Sequence, residues 1–186
     1  MYMDKTNIFN ESMRLILPSV LISILLYILL HELGHTIVLW SAGADITDFS
    51  ILSAHVSYSG GHWTNISDRW LHLNGALFPL IIAVIYILLY RKEYDNRFYR
   101  VISGTFILMT IASLMAWIFI PILYTFGQAP ESDDVYKFLH NFCYDYPAYL
   151  VSICAAILMF GYIYLAAQKG IFQNFRMTFK ELKDKH

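Results

Sequence analysis

The chain has little charge and little cysteine. Only 15% of its 186 residues are Asp, Glu, Lys or Arg, and the formal net charge is −1. No basic run interleaved with aromatic residues occurs, so the sequence gives no sign of nucleic-acid binding. The two cysteines, Cys143 and Cys154, have neither the spacing of a metal site nor the pattern of a disulfide framework. We expect both to be incidental.

Apolar sequence, by contrast, is abundant. Hydrophobic residues make up 58% of the chain and aromatic residues 17%, and the mean hydropathy is +0.50. Such a chain is too apolar for an ordinary soluble domain and too short for more than one. We therefore predict a single membrane-embedded domain over residues 1–186. It is an all-α membrane protein with four transmembrane helices, at about residues 15–40, 72–90, 101–126 and 147–167.

The distribution of basic residues predicts the orientation. Residues 1–14 are polar, and no suitable cleavage site follows them, so the first span is expected to stay uncleaved. With four spans, both termini share one side with the loop at 91–100, and that side carries all Lys and Arg residues except Arg69 and Lys137. The positive-inside rule then places the termini in the cytoplasm. The basic, amphipathic tail at 168–186 is expected to lie on the inner membrane surface.

A β-prone segment separates the first two spans. Residues 44–58 are rich in β-branched and aromatic types in near alternation, which slips at Ile51 and Leu52, and Gly60 and Gly61 then supply a turn. This pattern predicts a small extracytoplasmic β-hairpin. The hairpin either holds a peptide as an added strand or only covers the bundle, and the sequence leaves both alternatives open.

The first span contains the best clue to function, His31-Glu-Leu-Gly-His35. On a helix, the two histidines lie one turn apart on one face and can bind one zinc ion, with Glu32 beside it as the general base. The motif lies sixteen residues beyond Leu15, about 24 Å along a helix, and so in the outer half of the membrane. The alternative is that packing alone satisfies both histidines. Clustering three ionisable residues in a span, at roughly 2.5 kcal/mol or more each, disfavours it.

A catalytic zinc requires a third protein ligand and an open position for water. The loop between the third and fourth spans returns to the same face, and we favour its Asp134, with Asp133 as the alternative. The less favoured candidates are His62, His55 and Glu131. An N-cap at Ser132 followed by acidic residues suited to the helix dipole would explain the two aspartates without a metal.

The second span begins with a group of residues that suits close helix packing or catalysis. Gly75 and Pro79 permit close approach and a local break in backbone hydrogen bonding, while Asn74 offers an amide at a depth similar to that of His31. Asn74 or His72 is a candidate to stabilise an oxyanion or contact substrate. Simple helix packing explains Gly75 and Pro79 equally well.

Taken together, the motif within a span, the β-prone segment and Asn74-Gly75 with Pro79 resemble the site-2 protease family of membrane-embedded zinc metallopeptidases (peptidase family M50), most closely its small bacterial members. The resemblance implies that His31, His35 and Asp134 bind Zn²⁺ and that Glu32 is the catalytic base. It also implies an integral protein of a bacterial cytoplasmic membrane.

The function that we expect is therefore that of a zinc metalloendopeptidase. It would cut a membrane-associated protein or peptide near the outer face of the lipid bilayer by Glu-assisted attack of a zinc-bound water. Two alternatives remain: a non-catalytic, metal-stabilised membrane binding or assembly protein, and a zinc hydrolase of a non-peptide amide.

Overall fold

A computed structural model describes residues 5–143 and 146–185. Within them the chain forms helices and one two-stranded sheet in this order: α1 (Lys5–Ser41), β1 (Ala44–Ser50), β2 (His55–Gly60), α2 (Asn65–Leu89), α3 (Arg97–Thr125), α4 (Asp134–Phe142), α5 (Tyr149–Gln168) and α6 (Ile171–Lys185). Four of the helices, α1, α2, α3 and α5, are long and apolar enough to cross a membrane. The coarse prediction of four such helices and a small sheet is confirmed.

Three of the four long helices, α1, α2 and α3, are longer than the apolar segments from which they were predicted. Helix α1 has 37 residues, or about 55 Å, well beyond the roughly 30 Å of a hydrocarbon core, so the polar stretch before residue 15 continues the same helix. Helix α2 begins seven residues earlier than hydropathy suggests because Thr64 and Ser67 form a capping box there. It continues as one helix through Pro79, where only the backbone hydrogen bond that proline cannot donate is missing.

Polar side chains hold α1 against α3. Ser23 Oγ lies 2.8 Å from Thr105 Oγ1, and one turn later Tyr27 Oη donates to Ser113 Oγ at 2.5 Å. Because the polar stripe of α1 recurs every four residues, it faces the neighbouring helix throughout. The stripe continues to the two histidines of the motif, whose orientation within the bundle is thereby fixed.

The β-hairpin is present, and its turn lies where the alternation of the sequence slips. Strands β1 and β2 pair antiparallel from Ala44–Gly60 to Ser50–His55, and the chain reverses at residues 51–54. The slip in alternation at Ile51 and Leu52 is therefore the turn itself. Gly60 and Gly61, both at positive φ, instead lead out of β2 towards α2.

Helix α6 packs against the bundle through one face. Ile171, Thr178 and Leu182 are almost fully buried. Gly104 of α3 makes room for Phe175, whose Cδ2 atom would lie only 2.3 Å from a β-carbon at that glycine. The amphipathic pattern of the tail thus has a protein surface to cover, and its contact with the inner membrane surface stays a prediction.

Candidate metal centre

Two glycines bring α1 and α2 into close contact at the motif. A β-carbon at Gly34 would lie 2.2 Å from the carbonyl oxygen of Asn74, and one at Gly75 would lie 2.6 Å from His35 Nε2. Across this contact, Asn74 Nδ2 donates a hydrogen bond of 2.7 Å to the carbonyl oxygen of Gly34. The two helices can therefore approach each other only because side chains are absent at both positions.

The three predicted ligands converge in the structure. His31 Nε2, His35 Nε2 and Asp134 Oδ2 form a triangle in which every edge measures 3.1 Å. Asp134 is the first residue of α4, more than ninety positions along the chain from both histidines. Among the described residues, these three form the one group of His, Cys, Asp or Glu side chains that is close enough to share a metal ion.

The geometry and the donor set fit a zinc ion. Ligand atoms about 2.0–2.1 Å from tetrahedral zinc lie about 3.3 Å apart, close to the observed edges. His35 Nδ1 lies 2.8 Å from the carbonyl oxygen of Leu71, and it must carry a proton to donate a hydrogen bond to that oxygen. In the neutral ring, Nε2 then has no proton, and its lone pair faces the other two atoms of the triangle. A cation placed between these three atoms would bind two ring nitrogens and a carboxylate oxygen, which is a donor set that zinc accepts.

A further histidine supports Asp134. His72 Nδ1 lies 3.0 Å from Asp134 Oδ1, so the carboxylate uses one oxygen for this contact and the other for the ligand triangle. Burial alone would raise the pKa of Asp134, but the close contacts with His31, His35 and His72 outweigh it and hold that pKa well below its ordinary value. The carboxylate is therefore ionised, as metal ligation requires.

Asp133, the alternative ligand, has a different position. It is the N-cap of α4, and its Oδ1 accepts a hydrogen bond of 2.8 Å from the amide of Val135. Burial raises its pKa above the ordinary value. The N-cap expected at Ser132 is thus one residue too early, and the two neighbouring aspartates divide between capping and the ligand triangle.

Glu32 lies beside the triangle in a cavity of about 380 Å³. Its side chain is on the helix that carries both histidines, and the residue is only 3% exposed. The hairpin covers the cavity from the other side through Ala54, His55, Val56 and Tyr58. A metal ion bound by the three side chains would therefore lie in the same cavity as the carboxylate of Glu32.

The other candidates lie apart from the triangle. His62 is exposed, and its backbone amide donates a hydrogen bond to the carbonyl oxygen of Ala42. Glu131 is also exposed. His55 lines the cavity, but its Nε2 lies 2.8 Å from Asp48 Oδ2. The amide of Asn74 is engaged with α1 and is not part of the cavity wall, so its predicted oxyanion role gains no geometric support. Cys143 and Cys154 are free thiols.

Sequence reasoning missed the contact of His72 with Asp134. The residue itself was noticed, but its proposed role was catalytic, because nothing in the local sequence shows which face of α2 meets α4. The carbonyl of Leu71, which orients His35, has no side-chain signal at all. Comparison of the chain with protein-family models, with curated proteins and with solved structures found no significant match.

Proposed function

We propose that the chain is a zinc-dependent membrane endopeptidase that hydrolyses a peptide bond near the outer face of the membrane. One observation carries the proposal: two imidazole nitrogens and a carboxylate oxygen converge at 3.1 Å beside a cavity that also contains Glu32. This combination of three ligands, a neighbouring carboxylate and free space is the composition of a hydrolytic zinc site.

Each side chain has a separate task. Zinc at this site would lower the pKa of a bound water to about 7 and polarise a substrate carbonyl. Glu32 accepts the proton of the attacking water at its carboxylate and passes it to the leaving nitrogen. Leu71 and His72 fix the orientations of His35 and Asp134 through hydrogen bonds to the atoms that face away from the triangle.

The number of ligands favours catalysis over a structural role. A structural zinc site is closed by four protein ligands, whereas a catalytic site retains an open position. The nearest further histidine, His72, directs Nδ1 to Asp134 Oδ1, and its ring centroid is 6.5 Å from that of His35. A metal-stabilised assembly protein is the second candidate, and it would require His72 to turn and become the fourth ligand.

The membrane orientation belongs to the same proposal. The motif lies near the Ser41 end of α1, and the hairpin and α4 lie at that end of the molecule. Most of the lysines and arginines belong to the opposite end, which under the positive-inside rule is cytoplasmic together with both termini. The cavity therefore opens towards the outer face, and the substrate is a membrane-associated protein or peptide.

The hairpin offers a way to hold such a substrate. In the described part of the chain, β2 pairs only with β1, so its second edge carries unpaired backbone groups, and residues of β2 line the cavity. An extended peptide added to this edge would pass beside the ligand triangle. The hairpin also covers one side of the cavity, which reduces its exposure to bulk water.

The test compares two changes from glutamate to glutamine. Wild-type chain, Glu32→Gln and Glu131→Gln are each produced in a bacterial host, and new protein N-termini in the host membranes are identified by mass spectrometry. Zinc per purified chain is measured in parallel. Glu131 is exposed and lies outside the cavity wall, so Glu131→Gln is the matched control.

We expect wild type and Glu131→Gln to generate the same set of new N-termini. Glu32→Gln should generate none of them while retaining about one zinc ion per chain, because the ligands are intact and only the proton acceptor is lost. An unchanged set of N-termini from Glu32→Gln would contradict the proposed mechanism.

A further inference from the structure

A second cavity, of about 340 Å³, lies on the other flank of the ligand triangle. The first cavity is bounded by α1, α2, the hairpin and α4, whereas the second is bounded by α1, α3 and the beginning of α4. His31, Ser132 and Asp134 line both cavities. The two proposed ligands His31 and Asp134 therefore separate two spaces, of which the first contains Glu32 and the second does not.

Small residues of α3 create the second cavity. Ala112, Ser113 and Ala116 face it where longer side chains would fill it, and Met109 and Trp117 form apolar walls on the same helix. Ala112 is exposed on a helix that is apolar enough to span a membrane, so the cavity has an opening at that residue.

The polar groups of this cavity are largely satisfied. Tyr27 Oη donates to Ser113 Oγ, and this bond joins α1 to α3 at the cavity wall. Asp133 accepts from the amide of Val135, and Asp134 is engaged by three histidines. The space is therefore bordered by apolar groups and by polar groups of which most have partners, His31 Nδ1 being the exception, and this wall suits an apolar occupant better than a charged one.

We propose that this second cavity is a specificity pocket for the apolar side chain of a substrate residue next to the scissile bond. The inference rests on the proposed peptidase function. Successive side chains of an extended peptide point to opposite faces of the strand, so a peptide bound at the triangle directs the side chains next to its scissile bond to opposite flanks, and the second cavity lies on one flank. A cavity of about 150 Å³ can hold a benzene ring, so 340 Å³ accommodates the side chain of leucine or phenylalanine.

The experiment measures binding rather than turnover. The probes are peptide hydroxamates, which chelate zinc, with glycine, leucine or phenylalanine next to the chelating group, and calorimetry gives their affinities for the zinc-loaded full chain in detergent. Burial of a leucine or phenylalanine side chain should make those two probes bind about tenfold or more tightly than the glycine probe.

Two variants of α3 locate the preference. Ala112→Phe places a ring at the opening of the cavity and should reduce the preference for large side chains to about threefold or less, with the glycine affinity and zinc content retained. Met115→Phe adds a ring of similar size on the same helix at an exposed position outside the cavity wall, and it should retain the preference. If Ala112→Phe does not fold, Met109→Ala enlarges the cavity and should shift the preference towards a naphthyl side chain.

The outcomes separate the two proposals. Equal affinities of the three probes for the wild type, or an undiminished preference in zinc-loaded Ala112→Phe, would overturn the specificity pocket while leaving the metal site intact. Failure of every probe to bind, glycine included, together with absence of zinc, would overturn the proposed function itself and the pocket with it. An unaltered preference in Met109→Ala would also overturn the pocket.

Discussion

The two ends of the molecule each bury ionisable side chains, but they arrange them differently. At the end with α6, the guanidinium of Arg100 lies between two acids, 3.0 Å from Asp95 and 2.9 Å from Glu181. At the other end, two imidazole nitrogens converge on one carboxylate oxygen and also on each other. The first arrangement pairs a cation with two acids, whereas the second offers three ligand atoms to one added cation.

This difference separates a structural ion pair from a binding site. Removal of a charge near Arg100 should lower the free energy of unfolding and leave zinc affinity unchanged. Substitutions around the triangle should instead lower zinc affinity. Four substitutions test this contrast, from the largest expected effect on zinc affinity to none.

Asp134→Asn should have the largest effect. The amide keeps the size of the side chain but removes the negative charge that complements the cation, so we expect zinc affinity to fall by more than about a hundredfold. Competition with a chromogenic chelator measures it. Asp133→Asn is the matched control, since Asp133 caps α4 and lies outside the triangle; equal losses in the two variants would contradict the assignment of Asp134.

His72→Ala should have the next largest effect. The imidazole holds Asp134 Oδ1 at 3.0 Å, and loss of such an outer contact typically reduces metal affinity about 10–100-fold. The same chelator competition applies. A loss as severe as that of Asp134→Asn would indicate that His72 is itself a ligand, which would favour the closed, structural site.

Gly75→Ala should reduce zinc affinity by about tenfold. The added β-carbon would lie 2.6 Å from His35 Nε2 and 2.8 Å from His31 Cε1, so the rings must move. Gly161→Ala is the control on another spanning helix, because a β-carbon there meets nothing within 4 Å. Gly161→Ala should leave zinc affinity unchanged, and identical behaviour of the two variants would contradict the close packing of α1 and α2.

Arg100→Met should leave zinc affinity unchanged. The substitution removes one of the two arginines that pair with Glu181, at a site where the side chain of Arg100 is 9% exposed. We expect a loss of about 1–3 kcal/mol in the free energy of unfolding. Denaturation in mixed detergent micelles, followed by circular dichroism, measures it. A large change in zinc affinity would show that the two ends are coupled rather than independent.

Local spacing and hydropathy were enough to predict the four long helices and the approach of His31 to His35. The one-turn spacing is a property of any helix. The direction in which the loop returns indicated the two neighbouring aspartates, of which Asp134 was favoured. The slip in alternation at Ile51 and Leu52 marks the turn of the hairpin at residues 51–54, for which the sequence pattern gave no position.

Contacts between helices were beyond the reach of the sequence. The engagement of Asn74 with Gly34, and of His72 with Asp134, depends on the rotation and register of α2 against its neighbours. Hydropathy does not specify either quantity in helices that are apolar on most sides. The packing of α6 against the bundle could not be predicted either. One amphipathic pattern suits both a membrane surface and a groove beside Gly104.

The central claim is an open zinc site with three protein ligands. X-ray absorption at the zinc edge, on the purified zinc-loaded chain, tests it most directly, with His72→Ala for comparison. We expect two imidazole ligands, with oxygen ligands completing a four-coordinate site, and the same imidazole count in His72→Ala. A third imidazole that disappears in His72→Ala, or zinc content no higher than that of Asp134→Asn, would contradict the claim.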